Sequence, residues 1–390
     1  MRITSVTPYV VRGALANSDN SDWDYSCLVR IETDTGLLGW GEGASPAPQP
    51  DWGAPKILEM INTMFVPTLI GRDPTEPMVI WKELQILSVS TFGPPTWTTE
   101  EQKTSTGAIS AIDIALWDID GQAKGQPIHK LLSNVCVDVS FDRFWLRQFS
   151  SDSPWQPASA AIPEAQPLLD LGFDTFEVRI NGLSRERDMQ IVRAARETFG
   201  RQANIIVHNH NSNVPAEKLV WAMSSTRVSL FVEAFTPHSK AELRPSVPVV
   251  WGEHEWEGKV LCDGMAGGDV DTLRPNIIIC GGFTALLRIL TIAKSHGVLV
   301  MPSWSVQYGS GIALAATIQA SAAVPWNPLN AEQEANAKEP MIKLSSDTWN
   351  IRNQFLVQKI DGSGGCLHVP EAPGLGTTVN EQVLNRSTAI

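Results

Sequence analysis

From about Val135 onward, short apolar runs recur through the chain with amphipathic stretches between them, and this alternation limits the possible folds more than any single motif. The runs read VCVDVSF, FDTFEVRI, NIIVH, SLFVEAF, VPVVWGE, VDTLRP and GVLVMP. Two of the intervening stretches carry helix boundaries. LSRERDMQIVRAARETFG opens on Ser184 as an N-cap, holds acids in its first turn and stops at Gly200, while GGFTALLRILTIAKSHG stops at Gly297. Strands alternating with helices predict a parallel sheet covered on both faces. With roughly seven such units, closure into a barrel is more economical than an open sheet, and barrels gather their functional residues at the carboxyl ends of the strands.

The preceding part reads differently. CLVRIETDTGLLGWGEG places a DTG turn between two strands, and helices such as ISAIDIALWDIDGQAKG follow, which predicts a small α+β domain. A chain of 390 residues accommodates such a domain beside a barrel of roughly 250 residues. The expected division is an α+β domain over 1–132, a barrel over 133–353 and a C-terminal segment over 354–390, with two short strand-like pieces, packing back on the first domain.

Composition excludes several partners. A net charge of −12 with no run of Lys and Arg argues against nucleic acid and against an anionic membrane surface. No apolar stretch approaches membrane-spanning length, and the alternating MRITSVTPYVV lacks the charged and apolar regions of a signal peptide. Cys27, Cys136, Cys262, Cys280 and Cys366 are scattered and never in C-x-x-C spacing, which favours reduced thiols and a cytoplasmic protein. The expected partner is a small-molecule substrate.

The ends of the apolar runs carry the chemistry. In FDTFEVRI a period of two puts Glu177 and Arg179 on one face, and in IIVHNHNSN it does the same for His208 and His210. The next two runs end in Glu233 and Glu253. Imidazole and carboxylate at consecutive strand ends are ligands that a divalent cation of borderline hardness accepts. Hydrogen-bonded histidines without a metal, and a plain Glu177–Arg179 ion pair, account for the same residues and stand beside that reading.

Four segments extend the argument. GLLGWGE at Gly36–Glu42, AISAIDIALWDIDGQAKGQPIHKLL at Ala108–Leu132, CGGFTALLRILTIAKSHGVLVMP at Cys280–Pro302 and PEAPGLG at Pro370–Gly376 make the chain, over nearly its whole length, resemble the mandelate racemase and muconate lactonizing enzyme group of the enolase superfamily. The resemblance implies an α/β protein with an N-terminal α+β capping domain and a modified TIM barrel, (β/α)7β. It further implies a homo-oligomer and a lyase or isomerase in which Mg²⁺ stabilises an enolate formed by proton abstraction next to a carboxylate.

Carried across position by position, the resemblance exposes departures. Glu177 and Arg179 stand where the group has K-x-K, and His208 and His210 where it has D-x-N. Glu233 and Glu253 match its remaining metal carboxylates, whereas Asn276 and Ser303 replace the aspartate and histidine of its acid–base dyad. Arg179 stays protonated and cannot take a carbon-bound proton, although its planar fork can hold a carboxylate. A metal on His208, Glu233 and Glu253 has one anionic ligand fewer, which shifts preference from Mg²⁺ toward Zn²⁺, Mn²⁺ or Fe²⁺. Proton transfer then falls to Glu177, His210 or Tyr308, with Arg179 assisting, and Trp23, Asn276, Ser303 and Trp304 are expected to line the substrate pocket.

Three readings follow. The first is a metal-dependent dehydratase or cycloisomerase of a hydroxycarboxylate or lactone. The second is a metal-free enzyme using the pocket for cyclisation or elimination, and the third a binding protein that has lost catalysis. Five of the six replaced positions carry hydrogen-bonding or ionisable groups large enough to reach one another, and both metal carboxylates survive, which favours the first.

Overall fold

A computed structural model describes residues 1–12, 25–45, 53–93, 99–132, 144–148, 175–180, 184–200, 204–209, 229–230, 232–233, 249–253, 255, 258–267, 270–303, 309–324, 342–344, 353–360, 362–363 and 366–387, and for most barrel strands it describes the backbone path. Among them no helix is long and apolar enough to cross a membrane.

The N-terminal domain opens as an antiparallel meander of β1 (Ile3–Arg12), β2 (Tyr25–Thr33) and β3 (Leu38–Gly43). The DTG turn joins β2 to β3, with Gly36 at φ 82° and Thr33 N donating to Leu37 O at 3.0 Å. Helices α1 (Gly53–Met60) and α2 (Val66–Leu69), joined by a π turn, precede α3 (Pro77–Phe92) and α4 (Glu100–Lys124). A capping box between Thr99 and Gln102 starts α4, and Gly125 at φ 64° ends it. Between these caps α4 is buried continuously from Thr104 to Gly121, because the sheet lies on one side and the barrel on the other.

Glycines at alternate positions of β3 explain how the sheet reaches α4. Two strand residues advance about 6.6 Å and four helix residues about 6.0 Å. Gly39, Gly41 and Gly43 therefore come down successively on Ala115, Ala111 and Gly107, close enough that a Cβ on Gly41 would lie 1.8 Å from the Ala111 carbonyl oxygen.

The second domain is a parallel series. Two sheets, ordered β12-β4-β5-β6-β7 and β11-β10-β9-β8, are built from β4 (Phe144–Gln148), β5 (Thr175–Ile180), β6 (Asn204–Asn209), β7 (Ser229–Leu230), β8 (Val232–Glu233), β9 (Val249–Trp251), β10 (Thr272–Leu273), β11 (Leu299–Val300) and β12 (Ile342–Leu344). One residue separates β7 from β8, so the two sheets form one eight-position series. Its last strand in sequence, β12, pairs with its first, β4, which is the connectivity of a barrel. Helices α5 (Ile128–Leu132), α6 (Arg185–Phe199), α7 (Gly258–Ala266), α8 (Gly282–His296) and α9 (Gly311–Ala323) accompany it. Ser184 caps α6, and Gly200 and Gly297 end α6 and α8, as their sequences predict. The C-terminal β13 (Gly362–Ser363), β14 (Cys366–Leu367) and α10 (Glu381–Ser387) follow, and Leu375 N donates to Asp118 of α4 at 2.9 Å.

Two buried carboxylates join the first domain to the barrel helices. Glu42 of β3 accepts from Ser310 N and Oγ at 2.6 Å and from Ala313 N at 2.8 Å, at the start of α9. Asp113 of α4 accepts from Thr284 N at 3.0 Å and Oγ1 at 2.5 Å, in the first turn of α8. Each thus satisfies orphan donors at the amino end of a barrel helix from the other domain. Burial raises Glu42 above the usual carboxylate range, against the hydrogen bonds from Ser310, Ser26 and Ala313. It pushes Asp113 up to about 7 and Asp118 to about 6, again outweighing their hydrogen bonds.

Two outcomes are expected. Gly41→Ala forces β3 off α4 and costs about 3 kcal/mol or more in denaturant unfolding, or abolishes soluble expression, whereas Gly36→Ala, in open space, costs only backbone strain. A carboxyl raised in the folded state favours folding most at low pH, and that contribution is lost as pH rises from about 4 through the folded value near 7. Wild-type stability relative to Asp113→Asn should therefore fall across that window, and parallel pH profiles would refute the assignment.

Candidate active site at the barrel mouth

The parallel ladders bring the expected positions to neighbouring strand ends. Arg179 of β5 pairs with His208 of β6, with Glu177 two residues nearer the start of its strand. Val207 pairs with Leu230, three residues before Glu233, and Glu233 pairs with Val250 of β9. Trp251 pairs with Leu273, Leu273 with Val300, and Asn276 forms an isolated parallel bridge with Ser303. The carboxyl ends of β5, β6, β8, β9, β10 and β11 thus present Glu177 with Arg179, His208, Glu233, Glu253, Asn276 and Ser303 in order around the rim.

Local backbone sets the described half of this rim. Gly252, at φ 106°, turns the chain after β9, and Glu255 N closes the turn on its carbonyl at 3.3 Å. A Cβ there would meet Leu261 Cδ2 at 2.7 Å. Glu253, inside the turn, is 1 % exposed. Beyond β10 the ladders continue: Arg274 N donates to Trp251 O at 2.8 Å and Ser303 N to Pro275 O at 2.9 Å. The Asn276 carbonyl accepts from Ile279 N and Cys280 N, and its Oδ1 accepts from Ile278 N at 3.3 Å, turning the chain toward α8.

The side chains form a buried polar cluster. Arg274 Nη1 lies 3.5 Å from Glu253 Oε2, with both residues buried. Ser303, fully buried, donates its hydroxyl to the Arg274 carbonyl at 3.2 Å. Asn276 is 1 % exposed, and its Nδ2 has no hydrogen-bond partner among the described residues. Neither Asn276 nor Ser303 ionises in the physiological range, so the two positions where the resemblance puts an acid–base dyad hold none.

Glu253, Asn276 and Ser303 are therefore brought together. Glu177, Arg179, His208 and Glu233 have described backbone positions at the same end of the barrel, while Trp23, His210, Trp304 and Tyr308 lie outside the described residues. Arg274 was missed by sequence reasoning. Its signal lay in VDTLRPN, where a cation interrupts an apolar run two residues before Asn276 and so shares its phase.

Comparison with known proteins agrees with this fold. Residues 19–133 match the mandelate racemase / muconate lactonizing enzyme N-terminal domain, and residues 160–383 match the enolase C-terminal domain-like family. The chain belongs to the mandelate racemase and muconate lactonizing enzyme group of the enolase superfamily, with its capping domain and TIM barrel. A D-galactarolactone cycloisomerase from Agrobacterium fabrum is 27 % identical over 397 residues, 98 % of each chain. A D-galactonate dehydratase from Xanthomonas campestris pv. campestris (strain B100) is 25 % identical over 92 % of this chain and 90 % of the relative. The crystal structure of the 3,6-anhydro-D-galactonate cycloisomerase from Zobellia galactanivorans superposes over the full length of both chains with a TM-score of 0.80 at 24 % identity. A racemase from Streptomyces coelicolor A3(2), at TM-score 0.78 and 18 % identity over 99 % of this chain, was crystallised with bound magnesium. These relatives are isomerases and lyases, and members of the superfamily bind a divalent metal.

The buried pair makes a direct prediction. Glu253→Gln removes the carboxylate that lies 3.5 Å from the Arg274 guanidinium and should cost about 3 kcal/mol or more, while Glu253→Gln with Arg274→Met should recover most of the loss. A double-mutant cycle in urea measures it, and simple additivity would show that the pair is not coupled.

Proposed function

We propose that the chain is a divalent-metal-dependent dehydratase or cycloisomerase of a sugar-type hydroxycarboxylate or its lactone. The observation that carries this reading is the rim itself: a carboxylate is retained and buried at Glu253, and imidazole and carboxylate positions lie at the neighbouring strand ends. The donor set of His208, Glu233 and Glu253 fits a divalent cation of borderline hardness, and these residues would hold it. Such a cation stabilises the negative charge that develops on a substrate carboxylate when an adjacent C–H proton leaves.

The remaining steps belong to the chain's own residues. The dyad positions Asn276 and Ser303 supply hydrogen bonds rather than proton transfer, because one side chain is an amide and the other a hydroxyl donating to a backbone carbonyl. Proton removal therefore falls to the opposite side of the barrel, to Glu177 or His210. Arg179, permanently charged, orients the substrate carboxylate, and Tyr308 delivers a proton to the departing hydroxyl or ring oxygen. Trp23 and Trp304 are the residues the sequence offers to supply apolar surface for the carbon chain. The names of the relatives support an aldonic or aldaric acid, or its lactone, as the substrate class.

Elemental mass spectrometry of the purified wild type should find near-stoichiometric Zn, Mn or Fe, falling below about a tenth of that in His208→Ala through loss of one ligand. The same preparations are then offered aldonic acids, aldaric acids and their lactones, with loss of water or ring opening followed by NMR. A wild type that neither carries nor takes up metal would sink the proposal and favour a metal-free pocket.

A further inference from the structure

Arg274 places a buried cation at the rim. Its Nη1 stands 3.5 Å from Oε2 of Glu253, and both residues are buried. A guanidinium stays protonated at every pH a folded protein meets, so a permanent positive charge sits on a carboxylate proposed as a metal ligand. The backbone keeps it there. Arg274 N donates to Trp251 O and Arg274 O accepts from Ser303 Oγ, which fixes its main chain between the two neighbouring strand ends, beside Glu253.

A divalent cation needs the same carboxylate. Two like-signed charges sharing one buried anion repel strongly, because the interior screens them far less than water does. Of the negative charges that Glu233 and Glu253 supply, Arg274 already offsets one. We propose that Arg274 is an internal counter-ion that competes with the metal for Glu253 and so sets the affinity and selectivity of the site. Binding a metal then requires Glu253 to exchange its guanidinium partner for the cation. A cation held by charge alone, such as Mg²⁺, loses most by this competition, whereas one that also gains from the His208 imidazole loses least. Arg274 acts through Glu253 and is a positioning residue. The inference rests on the reading of His208, Glu233 and Glu253 as ligands.

The test is a titration of metal-stripped, full-length protein with Mn²⁺, followed by the electron paramagnetic resonance of the free ion, for wild type, Arg274→Gln and Arg274→Lys. Arg274→Gln should bind Mn²⁺ at least about tenfold more tightly than wild type, and Arg274→Lys, which keeps the charge, should stay within about threefold. An Arg274→Gln protein that binds no more tightly than wild type overturns the proposal. Removing one partner of a buried pair can also prevent folding. If circular dichroism shows that it does, the wild type decides: the ¹⁵N guanidinium resonance lost in Arg274→Lys belongs to Arg274. Addition of Zn²⁺, a diamagnetic cation that also accepts imidazole, should shift it, and an unmoved resonance overturns the proposal. Absence of Mn²⁺ binding in every folded variant removes the metal reading and this inference together, whereas equal affinity in all three removes this inference alone.

Discussion

Everything at the barrel mouth depends on the contact between β3 and α4. The glycine edge of β3 lies directly on the helix backbone, so sheet and helix behave as one plate with no side-chain layer between them. Two carboxylates project from that plate into the other domain, Glu42 onto the start of α9 and Asp113 onto the start of α8. These helices follow the seventh and sixth barrel strands, whose ends carry Ser303 and Asn276. The cap is thus registered against the rim by buried hydrogen bonds set within an apolar interface in which Trp117 packs on Phe283. That rigidity is what a site assembled from several strand ends and a cap requires, since misplacement by about 1 Å costs catalysis heavily.

Burying these carboxylates is unfavourable in itself. Asp113 accepts a hydroxyl and two backbone N–H groups, yet burial still raises it to about 7. The protein tolerates this because the partners are helix-terminal N–H groups, which would be orphaned in the same dry interface if the carboxylate were removed. Two groups that are each costly to bury alone become acceptable together. Trp117 Nε1 donates to the same Thr284 hydroxyl at 3.0 Å, which couples the clamp to the aromatic core.

Much of this was legible in the sequence, and what was not had a physical reason. Helix limits at Ser184, Gly200 and Gly297 depend on neighbours in the chain, so local signals located them. The order of chemistry-bearing strand ends followed from the same alternation. The role of Gly39, Gly41 and Gly43 was hidden, because GLLGWGEG reads equally as a flexible stretch and only the opposing backbone of α4 reveals a steric demand. Glu42 likewise reads as a surface acid until α9, some 270 residues away, arrives over it. Arg274 was concealed for a similar reason: inside VDTLRP it resembles the charge that ends a strand in solvent, and its burial depends on the turn that Gly252 imposes on another strand.

The Glu253–Arg274 pair then bears on why this rim departs from the pattern that the sequence resemblance implies. At 3.5 Å the attraction amounts to about 5 kcal/mol for an effective dielectric constant of about 20. Desolvating two ions costs several kcal/mol each, so the pair contributes little net stability and an apolar pair of equal volume would serve the core as well. Stability therefore does not explain its presence. The pair makes sense as the counter-ion proposed above, which tunes the hold of Glu253 on a cation. On that view the replacements are linked. A histidine at position 208 in place of an anionic ligand would weaken the pull on a metal, Arg274 would offset part of the charge that Glu253 supplies, and Asn276 with Ser303, which form no acid–base pair, would leave proton transfer to groups such as Glu177 of β5.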